Sequence, residues 1–128
     1  MIAGIGTDIV SVARITRALE RNGERFTDKV LAPVEQEVCA RLSRRGAYVA
    51  KRFAAKEAFF KALGEPPGAA NTWHQLAVVN QADGRPCLEF GPLLMGLLRQ
   101  RGIVRWHVSL SDEHDYALAY IVLEREYP

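Results

Sequence analysis

The apolar and polar positions at the start of the chain predict a strand and then a helix. Residues 2–6, IAGIG, form a short apolar run of the kind that buried strands contain. In residues 12–22 the apolar positions recur at helical spacing, and Gly23 is suited to end that helix. Ser11 or Asp8 is placed to cap it, because their side chains accept hydrogen bonds from the free N–H groups of a first turn. We therefore expect a strand-helix unit here.

Two further helices are indicated before the middle of the chain. Pro33 suits a first helical turn, and Val34, Val38 and Leu42 follow at helical spacing, which predicts an apolar face. Residues 51–64, KRFAAKEAFFKALG, are rich in strong helix formers and end in a glycine. This third segment predicts the long central helix of the fold.

The second half of the chain predicts short strands around one more helix. Residues 65–71, EPPGAAN, contain too much proline and glycine for regular structure. An Asp-Gly turn joins two short apolar runs, which predicts a β-hairpin, and Pro92 opens a short helix. The order is β-α-α-α-β-β-α-β-β, with the later strands at 74–80, 86–90, 104–110 and 116–124. Because helices and strands are partly segregated, we expect one α+β domain, residues 1–128, with a largely antiparallel sheet.

A carboxylate interrupts the apolar stripe of the central helix. Glu57 shares one side of that helix with Phe53, Phe60 and Lys61. One interpretation is a surface ion pair between Glu57 and Lys61, which lie four residues apart. The other interpretation is that Glu57, a carboxylate next to an apolar surface, is paired with a cation. Asp8 with Glu57 would form a hard-oxygen site of the kind that Mg²⁺ prefers, and Lys61 would then meet phosphate as a point charge.

Arginines form a second pattern, roughly one turn apart along and just beyond the first predicted helix. The pattern fits a solvated face, and it also fits a surface that docks an acidic partner and speeds the encounter. The residues are Arg14, Arg17, Arg21 and Arg25.

Composition limits the possible classes of function. A hydrophobic content of 48% and a charged content of 25% are ordinary for a globular domain that buries a core. The formal net charge of +2 favours neither nucleic acid nor a membrane as partner. Cys39 and Cys87 fit no metal-ligand spacing, so we expect reduced thiols. With no signal peptide and no apolar run of membrane-spanning length, we expect a cytoplasmic protein.

Three segments together resemble a known family. They are GIGTDIVSVARI (4–15), KRFAAKEAFFKALG (51–64) and WHVSLSDEHDYALAYIVLE (106–124), and the family is that of the holo-acyl-carrier-protein synthases, the small bacterial type of 4′-phosphopantetheinyl transferase. The resemblance implies transfer of phosphopantetheine from coenzyme A to a serine of apo acyl carrier protein, with Mg²⁺ as cofactor and adenosine 3′,5′-bisphosphate released. It implies a role in fatty acid biosynthesis, and a homotrimer with each active site between neighbouring subunits.

The resemblance also implies roles for individual residues. Asp8 and Glu57 would be the magnesium ligands, and Lys61 would meet the phosphates. Glu57, Asp8 and a metal-bound water all remain candidates for the base that takes the serine proton. Coenzyme A would further contact Arg52, Gly84, Arg85 and Pro86, with Arg85 standing for a lysine of the family. The arginine row, led by Arg14, would dock the carrier protein.

Two departures from the family pattern limit what is carried over. Many members have a histidine where this chain has Asp112, so a histidine contact to a coenzyme A phosphate is not expected, and the carboxylate would repel phosphate. The usual Gly-Thr-Gly after the long helix is replaced by GEPPG at 64–68, which removes the basis for expecting its backbone contacts.

Two alternative functions remain open at this level. A Mg²⁺-dependent phosphate-ester hydrolase would use the same two carboxylates, and release of bisphosphate without any protein acceptor would favour it. A non-catalytic module would bind an acidic protein through the arginine row, and binding that persists in chelator without turnover would favour that.

Overall fold

The computed structural model describes residues 1–66 and 72–127. A short 3₁₀ turn at Trp73–Gln75 precedes the second strand. The other elements, in chain order, are β1 (Ile2–Ser11), α1 (Val12–Asn22), α2 (Glu24–Val30), α3 (Pro33–Ala40), α4 (Gly46–Leu63), β2 (Leu76–Asn80), β3 (Pro86–Phe90), α5 (Pro92–Gln100), β4 (Ile103–Asp112) and β5 (Tyr116–Arg125).

The α+β class with antiparallel sheets is confirmed. One sheet has the strand order β1-β5-β4, and a separate two-stranded sheet is the hairpin β2-β3. The hairpin turn has Gly84 at a φ of 90°, a left-handed conformation that glycine adopts without strain. The central helix α4 is buried on almost every side, which explains its alanine-rich sequence.

The first strand and first two helices differ from the sequence expectation. β1 does not end at residue 6 but continues to Ser11, because it pairs with β5 along its whole length. Asp8 therefore lies within the strand and does not cap α1. Ser11 is the cap, and its side chain accepts from the Arg14 N–H at 3.3 Å. Gly23 ends α1 as expected, but a further short helix, α2, follows it directly, which the apolar pattern did not indicate.

The predicted apolar face of α3 is wrong. Val34 and Val38 are 41% and 40% exposed, whereas Glu35 and Cys39 of the same helix are buried. The stripe was misleading because a polar side chain takes the inward position and is satisfied there. The prediction for 65–71 falls mainly on 67–71, which lie outside the described residues. Cys39 is buried and Cys87 is half-buried, and both carry free thiols.

Two glycines allow β1 to lie directly on α4. A Cβ added at Gly4 would stand 1.9 Å from the Ala62 carbonyl oxygen, and one at Gly6 would stand 1.9 Å from that of Ala58. No side chain larger than hydrogen fits between these backbones. The close approach places Asp8, two residues after Gly6, beside the last turns of α4.

The three-stranded sheet has one covered face and one open face. Along β5 the inward residues Ala117, Ala119, Ile121 and Leu123 are fully buried. On the outward face, Ile5, Ile9 and Tyr120 are 52%, 61% and 42% exposed. Among the described residues, no helix is long and apolar enough to cross a bilayer.

Candidate active site

Asp8 and Lys61 meet across the contact between β1 and α4. The Lys61 Nζ donates to Asp8 Oδ1 at 3.2 Å and to the Thr7 carbonyl oxygen at 3.0 Å. The Asp8 side chain is 18% exposed and that of Lys61 is 55% exposed. The lysine head is thus anchored at the strand while most of it remains open to solvent and to a ligand.

Glu57 completes this group one turn before Lys61 on α4. Partial burial and then the negative charge of Asp8 raise the pKa of the Glu57 carboxyl, while the cations Lys61 and Arg14 oppose the increase. Because the negative charge of Asp8 acts on Glu57, the two carboxylates lie in the same region of the surface. The sequence interpretation of a cation-binding pair is therefore consistent with the electrostatics.

The donor set suits a magnesium ion. Two carboxylates leave most of an octahedral shell to water and to phosphate oxygens, which is the usual arrangement for Mg²⁺ with phosphorylated substrates. Within 1–66 and 72–127 there is no cluster of three or more His, Cys, Asp or Glu that would hold a metal by protein ligands alone. The pair of Asp8 and Glu57 thus fits an ion that substrate helps to bind.

Arg14, the first arginine of the row, is close enough to the group of Asp8, Glu57 and Lys61 for its charge to affect that group. Its charge acts on Glu57, because the Ser11 cap starts α1 immediately after the strand that carries Asp8. Arg17, Arg21 and Arg25 are exposed further along, with Arg25 on α2 rather than on α1. The row therefore begins beside the carboxylates and extends away from them over the surface.

Arg52 is not part of this open group. It is 4% exposed, its guanidinium lies 4.0 Å from the Tyr48 ring centroid, and its Nη2 donates to the Val78 carbonyl oxygen at 3.4 Å. Its Nε has no hydrogen-bond partner among the described residues. The contact of Arg52 with coenzyme A remains a prediction.

The residues expected to contact the nucleotide lie at the hairpin turn. Arg85 is exposed and its Nε donates to Asp83 Oδ2 at 2.7 Å. Arg85 and Pro86 line a polar cleft of about 560 Å³ between β3 and β4. Asp8, Glu57 and Lys61 do not line this cleft, so the nucleotide half and the carboxylate half of the expected site are separate there.

Asp112 lies in a second cleft, of about 820 Å³, between α1, the start of α4 and the β4–β5 turn. Its carboxylate is 3.8 Å from the Lys51 Nζ, and Arg44, Arg45 and His114 line the same cleft. A neighbouring lysine therefore partly offsets the negative charge of Asp112.

Sequence reasoning missed a buried ion pair, Glu35 with Lys56. Their side chains are completely buried, and Lys56 Nζ lies 2.6 Å from Glu35 Oε1. The sequence carried a signal only for a helix cap, since Glu35 is the third residue of a helix that opens with Pro33, a position from which glutamate often bonds the backbone N–H before the helix. Glu35 Oε1 does accept from the Ala32 N–H, at 2.8 Å.

Comparison with known proteins gives one consistent family. The model of the 4′-phosphopantetheinyl transferase superfamily matches residues 4–121. The holo-[acyl-carrier-protein] synthase of Thiobacillus denitrificans is 46% identical over 98% of this chain and 95% of that protein. The crystal structure of the enzyme of the same name from Neisseria meningitidis has 42% identity and a TM-score of 0.92, covering 98% of this chain and 100% of that one.

A liganded relative is also similar. The structure of a holo-(acyl-carrier-protein) synthase from Bacillus anthracis, in complex with CoA (3′,5′-ADP), has a TM-score of 0.81 and 34% identity over 98% of this chain and 99% of that one.

Proposed function

We propose that this chain, which belongs to the 4′-phosphopantetheinyl transferase superfamily, transfers the phosphopantetheine group of coenzyme A to a serine of apo acyl carrier protein. The observation that carries the proposal is the meeting of Asp8, Glu57 and Lys61 where β1 crosses α4. The products are holo acyl carrier protein and adenosine 3′,5′-bisphosphate, because the serine oxygen replaces the bisphosphate at phosphorus.

Asp8 and Glu57 would hold Mg²⁺, and Lys61 would contact the phosphates. When bound, the ion supplies positive charge against the phosphoryl oxygens, which lowers the barrier to displacement. Lys61 supports that role because its Nζ is anchored by Asp8 and Thr7 yet remains largely exposed. It would stabilise charge that develops on the phosphate oxygens and orient them for attack.

The carboxylates are also the nearest candidates for proton transfer. The pKa of Glu57 is raised by its partial burial and by Asp8, which makes it a better proton acceptor than an ordinary glutamate. Binding of a cation would oppose that increase. The choice between Glu57, Asp8 and a water held by the ion is best made from the pH profiles of matched amide variants.

The arginine row would dock the acidic carrier protein. Arg17, Arg21 and Arg25 are exposed, and Arg14 lies beside Glu57, so a partner bound along the row would direct its serine toward the carboxylates. Charge complementarity of this kind chiefly raises the association rate and is screened by salt.

A homotrimer would bring the two halves of the site together. The outward face of the three-stranded sheet exposes Ile5, Ile9, Leu118 and Tyr120, an apolar patch of the kind that subunit interfaces cover. The cleft that Arg85 and Pro86 line does not include Asp8, Glu57 or Lys61. Placing the turn of one subunit against Asp8 and Glu57 of its neighbour would complete the site.

The activity is tested by incubating the chain with coenzyme A, Mg²⁺ and an apo carrier protein, and measuring the carrier by mass spectrometry. Addition of one phosphopantetheine per carrier supports the transferase. Release of bisphosphate without modified carrier supports a hydrolase instead, and stable carrier binding in chelator without either product supports a docking module.

The shared site is tested by mixing inactive variants. Because Asp8 and Glu57 belong to the same chain's half-site, mixing Asp8→Asn with Glu57→Gln should restore nothing. Mixing Glu57→Gln with Arg85→Glu should restore part of the activity, since mixed trimers contain some sites with both halves intact. A monomer mass near 14 kDa with full activity, measured by light scattering, would contradict the trimer.

A further inference from the structure

The buried pair Glu35–Lys56 forms a polar hub inside the core. Lys56 Nζ donates to Glu35 Oε1 at 2.6 Å, to the Val30 carbonyl oxygen at 2.6 Å and to the Trp73 carbonyl oxygen at 3.1 Å. An ammonium has three N–H groups, so each of them has a partner. The pair thereby joins the end of α2, the start of α3, α4 and the turn that precedes β2.

The hub also holds the hairpin by the backbone of Val78. Glu35 Oε2 accepts from the Val78 N–H at 2.9 Å, and Arg52 Nη2 donates to the Val78 carbonyl oxygen at 3.4 Å. Val78 pairs with Leu88 of β3, so these backbone groups lie on the edge of β2 that faces away from β3. Side chains from α3 and α4 take the place of a third strand there.

This arrangement determines where the hairpin turn lies. The strands β2 and β3 are short and directly paired, and Gly84 and Arg85 lie at the turn that they share. A displacement at Val78 therefore moves the turn as well. Glu35 contacts β2, the strand that leads to the turn, and Lys56 precedes Glu57 on α4. The same buried pair is therefore connected to both halves of the proposed site.

We propose that Glu35 is a positioning residue for coenzyme A, acting through Val78 and the hairpin turn. The inference rests on the proposed function and names a residue that the resemblance does not assign. A buried ion pair is commonly no more stabilising than an apolar pair of similar volume, so burial alone does not account for it. The hydrogen bonds to both backbone groups of Val78 do account for it, since an apolar side chain provides no acceptor for the Val78 N–H.

The test is Glu35→Gln, with Glu37→Gln as a matched control. Glu37 lies on the same helix but is exposed, so it undergoes the same chemical change outside the hub. If the glutamine oxygen stays with Lys56 and the Ala32 N–H, its NH₂ faces the Val78 N–H, donor against donor. The KM for coenzyme A should rise by about tenfold, because binding must then return a displaced turn to its position, with kcat and the KM for carrier protein within about twofold.

A second variant, Glu35→Leu with Lys56→Met, covers the case in which Glu35→Gln does not fold. It removes both charges and replaces them with apolar side chains, which proteins commonly tolerate, yet Val78 still loses its acceptor. Its KM for coenzyme A should also rise. An unchanged KM for coenzyme A in the variants that fold, or losses spread equally over all kinetic constants, overturns the inference.

Hydrogen exchange separates this inference from the proposed function, because it needs no turnover. In either variant the amides of 76–90 should exchange at least about tenfold faster than in the wild type, while those of β1 and β5 stay protected. Unchanged protection of the hairpin contradicts the positioning role even if transfer is confirmed. Absence of transfer in the wild type contradicts the proposed function alone.

Discussion

Two lysine–carboxylate pairs lie on different faces of α4. Lys56 and Glu35 are 2.6 Å apart with both side chains fully buried. Lys61 and Asp8 are 3.2 Å apart, with the lysine 55% exposed. In the buried pair, Lys56 also donates to two backbone carbonyl oxygens and Glu35 accepts from two backbone N–H groups, whereas the open pair lies in the region of a second carboxylate, Glu57.

The difference shows how the same groups serve different purposes. Inside the core an unpaired polar atom costs free energy, so the Glu35–Lys56 hub is fully satisfied and holds elements in place. At the surface the negative charge of Asp8 acts on Glu57, which is unfavourable for stability but favours the binding of a cation. Residues that remain incompletely satisfied are candidates for ligand binding.

The largest expected effect is on the buried pair. Lys56→Met leaves the Glu35 carboxylate buried without its cation and should lower the free energy of unfolding by about 3–5 kcal/mol. Urea unfolding followed by circular dichroism measures the loss. A decrease of less than about 1 kcal/mol would show that water reaches the Glu35–Lys56 pair.

The open carboxylates should show the reverse pattern. Glu57→Gln is expected to lower the transfer rate by about 100-fold, roughly 2.7 kcal/mol in activation free energy, without loss of fold. Asp8→Asn should behave similarly. Transfer measured by mass at saturating Mg²⁺, with thermal melts alongside, tests both, and near-normal turnover in both variants contradicts the metal assignment.

In the absence of metal, Glu57→Gln also tests how the stability of the protein depends on pH. The folded-state pKa of Glu57 is raised, so the folded protein holds that proton more tightly than the unfolded chain does. Ionisation of Glu57 therefore lowers stability as the pH rises from the usual glutamate pKa through the raised folded-state pKa. The melting temperature of Glu57→Gln should therefore increase relative to that of the wild type as the pH rises over that range. A relative increase as the pH falls would contradict the raised pKa of Glu57.

Gly6→Ala tests how the site depends on the backbone contact between β1 and α4. The new Cβ would stand 1.9 Å from the Ala58 carbonyl oxygen, so the strand must shift, at a cost of about 1–3 kcal/mol. Activity should fall with it, because Asp8 moves with β1. Gly96→Ala is the control, since its Cβ meets nothing within 4 Å and alanine should be neutral or stabilising in α5.

The smallest effect on stability is expected for the exposed lysine. Lys61→Met should change the free energy of unfolding by no more than about 1 kcal/mol, because exposed ion pairs contribute little. Transfer should nevertheless decrease, through a higher KM for coenzyme A. A stability loss equal to that of Lys56→Met would remove the distinction between the two pairs.

Elements whose signals are local could be predicted from the amino-acid sequence. Gly23 and Gly64 end helices where expected, and the Asp-Gly turn forms the hairpin, because turn and cap preferences depend on a few neighbouring residues. The candidate pair of Asp8 and Glu57 could also be identified from the sequence. A carboxylate on an apolar stripe and an aspartate after a glycine-rich strand are visible without coordinates, and the motifs indicate the family.

Which polar residues are buried and which remain available depends on contacts between distant parts of the chain. Periodicity placed Val34 and Val38 inward, yet Glu35 takes that position because Lys56, 21 residues away, satisfies it. The length of β1 likewise depends on pairing with β5 at the other end of the chain. Long-range partners of this kind leave no local pattern, so burial of a charge and the place of Asp8 within a strand follow from the assembled fold.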